Sequence, residues 1–137
     1  MLQNYDIKIM LALQKSLEGR KDFFKWLLEN GYPELAAFSN AVRGDEEALH
    51  WLLKNKQFAI LGVLSEAIDG VAKAVNWIKE YNDPFLLNFV GACRKRPESI
   101  RWFIERNSRI FLAMTQEINK ILDVQEKENT FWYRMKF

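Results

Sequence analysis

Apolar residues recur along this chain at spacings of three and four, and no stretch alternates with a period of two. Leu35, Phe38, Ala41 and Val42 fall on one helical face. Ala48, Leu49, Trp51, Leu52 and Leu53 form a wider stripe. The punctuation between stretches is that of helix ends. Asp45 stands where an N-cap belongs, with Glu46 and Glu47 in the positive first turn. Pro33 and Pro84 suit first helical turns, Pro84 behind a capping Asp83, and Gly31 after Asn30 is a stop signal. The pattern predicts about nine helices: Asp6–Glu18, Lys21–Asn30, Pro33–Arg43, Asp45–Asn55, Phe58–Asp69, Val71–Tyr81, Pro84–Arg94, Pro97–Asn107 and Arg109–Glu126.

These helices come in repeating pairs. Trp26, Trp51, Trp77 and Trp102 are 25, 26 and 25 residues apart, within DFFKWLLEN, EALHWLLKN, KAVNWIKEYN and ESIRWFIERN. Upstream of them LQKSLEG, FSNAVRG, LSEAIDG and FVGACRK align without gaps. Gly19, Gly44 and Gly70 close the first three, and Lys95 takes that place in the fourth. Helices of about ten residues are marginal alone, so stacking one pair on the next is what gives them a core. The expected fold is all-α: an α-solenoid of four to five short antiparallel helix pairs stacked into a right-handed superhelix. Its units fall at about 10–31, 32–56, 57–82 and 83–107, with a capping helix at 109–126. One domain spans 1–128, and an aromatic, basic tail follows at 129–137.

The segments GDEEALHWLLKN (Gly44–Asn55) and GRKDFFKWLLENG (Gly19–Gly31) resemble the second helix of ankyrin repeats. Ala41-Val42 and Ala67-Ile68 are similar to the small-apolar end of the first ankyrin helix. The unit is about eight residues shorter than an ankyrin repeat, lacks the Thr-Pro-Leu-His segment, and has no length for the projecting β-hairpin. The resemblance implies protein recognition by a stacked surface.

Composition narrows the function classes. The chain has 137 residues, a formal net charge of +2 and a single Cys, Cys93, which rules out an internal disulfide and a Cys-based metal cluster. No apolar run is long enough for a membrane span, and the expected setting is cytoplasmic, without a membrane. No metal-ligand spacing, P-loop, dinucleotide motif or nucleophile elbow is present. His50, the only His, and Cys93 fall on different helices, so no catalytic residue, metal or cofactor is expected and the protein is read as no enzyme.

Three columns of the repeat bear on function. Trp26, Trp51, Trp77 and Trp102 are expected to form a core ladder, one per layer. Lys25, His50, Asn76 and Arg101, each preceding a Trp, are polar and differ between layers, which suits a surface that contacts an unidentified protein partner. Glu18, Arg43, Asp69 and Arg94 alternate in sign and predict an inter-layer ion-pair ladder. The alternative reading is nucleic-acid or phosphate-ligand binding. Residues 94–137 hold ten basic and six acidic groups, with Arg94, Arg96, Arg101 and Arg106 as the phosphate-binding candidates. The chain is expected to be a monomer or a weak dimer through its tail, where Trp132 lies outside every repeat.

Overall fold

The structure, a computed structural model, describes residues 1–135, with side chains described through Thr130. The chain is all-helical, with no strand among the described residues. A 3-10 turn at Leu2–Asn4 precedes nine α-helices: α1 (Ile7–Leu17), α2 (Lys21–Glu29), α3 (Pro33–Val42), α4 (Glu46–Lys54), α5 (Ala59–Ile68), α6 (Ala72–Tyr81), α7 (Pro84–Cys93), α8 (Pro97–Glu105) and α9 (Arg109–Met135). The first eight match the predicted ranges to within two residues at each end. The last runs nine residues past the expected end at Glu126, through part of the expected tail. The side chain of Trp132, and all of Lys136 and Phe137, lie outside the described residues.

Local chemistry sets the helix starts. Asp6 accepts from the Lys8 amide at 2.8 Å, Asp45 from Ala48 at 3.1 Å, and Asp83 from Phe85 at 2.8 Å. Pro33, Pro84 and Pro97 occupy first turns. The corner inside each pair is one motif used four times. Arg20, Asp45, Val71 and Arg96 donate their amides five residues back, to the carbonyls of Lys15, Asn40, Glu66 and Gly91. The corner residue must take a positive φ: +100° at Gly19, +101° at Gly44, +86° at Gly70, and +64° at Lys95, the side-chain-bearing member of the column.

The pairs α1–α2, α3–α4, α5–α6 and α7–α8 stack in order, with α1, α3, α5 and α7 packed on one another as an inner row. The inner helices are wrapped on several sides, and α3 buries seven of its ten residues, Glu34 among them, which accepts from the Tyr5 hydroxyl at 3.0 Å. The outer helices α2, α4, α6 and α8 bury one or two residues each. At about 1.5 Å per residue α9 is about 40 Å long, enough to cross four layers. It packs on α7 and α8 at one end of the stack and on α1 at the other.

Two expectations are corrected here. The Trp column is not a core ladder. Trp26, Trp51 and Trp77 are 39%, 42% and 40% exposed, and Trp102 is half-buried. The core column is the next residue: Leu27, Leu52 and Phe103 are fully buried and Ile78 nearly so. An outer helix has one neighbour side, so only a narrow stripe is covered, and a step of one residue turns about 100° off it. Nor is there an ion-pair ladder along Glu18, Arg43, Asp69 and Arg94 among the described residues. This column sits at the C-terminal ends of inner helices, where free carbonyls attract cations. Arg43 donates to the Leu17 carbonyl one layer back, and Arg94 donates to Ile68 at 2.8 Å. Glu18 turns back to Lys15 at 3.5 Å.

Candidate functional site

The outer helices place one column of large aromatic rings on the surface. Each Trp is held flat by a residue four to seven positions later. Trp26 stacks on Tyr32 with ring centres 6.4 Å apart and planes 9° from parallel. Trp51 stacks on Phe58 at 6.0 Å and 22°, and Trp77 on Tyr81 at 4.9 Å and 13°. In the fourth layer the Arg106 guanidinium lies 4.0 Å over the Trp102 ring, which also meets Phe103 edge-on at 5.0 Å. Stacking restricts the rings while about two-fifths of Trp26, Trp51 and Trp77 stays open to water, so these three are pre-oriented aromatic surfaces.

Lys25, His50, Asn76 and Arg101 are all exposed and lie one residue before the Trp row, on the same outer helices. Tyr81, the stacking partner of Trp77, is itself exposed and adds to the apolar component of this face. The stacking partners Tyr32, Phe58 and Tyr81 are not among the site residues singled out from the sequence, and Arg106 is singled out there only as a phosphate-binding candidate. Their signal was an aromatic or Arg following each Trp by four to seven residues, obscured because the offset varies from layer to layer.

The four arginines of the phosphate reading are not gathered at one point. Arg94 is engaged with the Ile68 carbonyl at the inner edge, and Arg106 with the Trp102 ring on the outer face. Arg96 and Arg101 are exposed on and before α8. His50 and Cys93 are apart as expected, His50 on an outer helix and Cys93 fully buried on an inner one. Burial pushes the Cys93 thiol well above its ordinary range, an effect that the nearby Arg94 charge opposes. That favours the unreactive thiol. Among the described residues, no group of three or more His, Cys, Asp or Glu converges as metal ligands do, and no helix is long and apolar enough to cross a membrane. No protein-family model, no curated protein and no solved structure matches the chain.

Proposed function

We propose that this chain is a non-catalytic, ankyrin-like helical-repeat scaffold that recognises a protein partner through its outer face, in a reducing compartment such as the cytoplasm. The observation that carries the reading is the register of Trp26, Trp51 and Trp77, each about two-fifths exposed and stacked in place. Full burial of a large apolar side chain is worth about 1.5–3 kcal/mol, so the two-fifths of each ring still in water leaves about 1 kcal/mol per Trp to be gained on covering it. Three in one row form a surface ready to be covered, and Trp is among the residues enriched at binding hot spots. Lys25, His50, Asn76 and Arg101 supply a polar rim whose identity changes along the row. The phosphate alternative has less support, because Arg94 and Arg106 already have partners inside the molecule.

Affinity capture from the native lysate tests this. The full chain should retain a defined protein, and the complex should survive about 0.5 M salt, where exposed charges are screened within a few ångström. A folded Trp51→Ala, His50→Asp variant should lose it. Capture that the variant retains in full, or that yields nucleic acid released by salt, contradicts the reading.

A further inference from the structure

Between consecutive layers, at the edge formed by the corner residues, the fold makes a notch three times. Equivalent columns line the first two, and the third shares with them the corner glycine and the columns of Val75, Val90, Gly91 and Arg94. The notch between the first and second layers carries Arg20, Lys21 and Arg43 and no carboxylate. The one between the third and fourth carries Lys79, Arg94 and Arg96 and again no carboxylate. The middle notch reverses this. Asp45 stands at the Arg20 position, Glu46 at Lys21, Glu66 at Asn40 and Asp69 at Arg43. Glu128 of α9 adds a fifth carboxylate, and no Lys or Arg lines this notch. Its volume is about 500 Å³.

The flanking notches show what enters such a space. In each, a guanidinium lies against the corner glycine, about 3.5 Å from where a Cβ would stand on Gly19 or Gly70, and donates to the last carbonyls of the preceding inner helix. In the middle notch the residue at that position is Asp69, which has no hydrogen to donate. The neutral Gln125 amide of α9 takes the place instead, 3.6 Å from where a Cβ would stand on Gly44, with one long 3.4 Å bond to the Val42 carbonyl. One polar group is left over by layer identity. Ser16 and Ser39 bond to each other at 2.9 Å in the first notch. One layer on, Ala41 replaces Ser16, so Ser65, 4% exposed and lining the middle notch, has no side-chain partner among the described residues. Leu49, Ile68, Val71 and Leu122 give the notch an apolar wall.

We propose that the middle notch takes an arginine side chain from a partner protein segment, which displaces the neutral Gln125 amide and supplies in trans the guanidinium that Arg43 and Arg94 supply in cis to its neighbours. The carboxylates of Asp45, Glu66 and Asp69 match the charge, Ser65 and the Val42 carbonyl accept its remaining hydrogens, and the apolar wall takes hydrophobic residues beside the arginine. This surface is separate from the outer Trp face and stands or falls independently of it.

The test is an NMR titration of the full isotope-labelled chain with the acetylated, amidated peptide Leu-Arg-Leu-Leu and with its citrulline counterpart, which keeps the shape and removes the charge. The arginine peptide should shift the amides of Gly44, Asp45, Ser65, Glu66 and Asp69 and bind at least about tenfold more tightly than the citrulline peptide. Asp69→Arg, which places a guanidinium in the notch from within, should abolish binding and raise Tm. Glu66→Gln, a milder change, should weaken binding if the first variant fails to fold. Trp51→Ala should leave it unchanged, which separates this result from the outer-face reading. Equal binding of the two peptides, shifts centred elsewhere, undiminished binding to Asp69→Arg or Glu66→Gln, or argininamide binding as tightly as the peptide would each overturn the proposal.

Discussion

Trp51 and Leu52 are neighbours on α4, and one step of 100° separates a ring in water from a fully buried side chain. Leu52→Ala should cost about 2–5 kcal/mol, the range for emptying a packed core site. Trp51→Ala removes a half-exposed ring stacked on Phe58 and should cost about 1–2 kcal/mol. Urea denaturation of both variants checks the order, which a core ladder of Trp would reverse. Periodicity alone could not decide between the two. In an outer helix the stripe Ala48, Leu49, Trp51, Leu52 is broad, and only the position of the neighbouring helices says which edge of it is covered. Two protonated groups add a pH prediction. The Tyr5 hydroxyl is raised above its ordinary value near 10 by burial first, then by the charge of Glu34 and the hydrogen bond donated to it. The Cys93 thiol is raised above 9 by burial. Both keep their protons in the folded chain at a pH where the unfolded chain releases them, so the unfolded state binds fewer protons. Stability should therefore be flat to about pH 8 and fall progressively above pH 9. Thermal unfolding across this window should show the slope, and Tyr5→Phe, Cys93→Val should flatten it.

At the scale of elements, the corners between paired helices carry the sharpest constraint. A non-glycine residue in the left-handed region costs about 1–2 kcal/mol. Gly44→Ala, at φ +101°, should lose about that much. Lys95 already accepts the cost, and its side chain reaches Asp123 on α9 at 3.0 Å. Lys95→Gly should then be nearly neutral, since a relaxed backbone offsets a surface ion pair of about 0–1 kcal/mol. Calorimetry on the two variants separates these cases. The glycine column was legible as a column because the φ requirement recurs every layer. The break at Lys95 was legible as a departure, but its reason lies 28 residues away on another helix. Gly91 is a different case. It is helical, and a Cβ there would strike the Ser99 hydroxyl of α8. Gly91→Ala should cost about 1–3 kcal/mol by forcing α7 and α8 apart, measurable as a shift in the urea midpoint.

At the scale of the whole molecule, α9 changes what the stack is. The sequence shows a longer helix without the glycine column, and that supports a cap on the last layer. The structure runs this helix back to α1, with Asn119 donating to Cys93 at 2.8 Å and Gln125 to Val42 at 3.4 Å on the way. Periodicity of 3.6 reports which face of a helix is apolar and carries no information on which distant helix meets it. With α9 packed on α1 at one end of the inner row and on α7 at the other, the outer row of Trp is a large aromatic surface left open among the described residues. Acrylamide quenching of Trp fluorescence in a Trp132→Phe background tests it most directly. Trp26, Trp51 and Trp77 should give red-shifted emission and quench efficiently, with Trp102 less accessible under Arg106. Blue-shifted emission that acrylamide barely quenches would place the four rings in a core and contradict it.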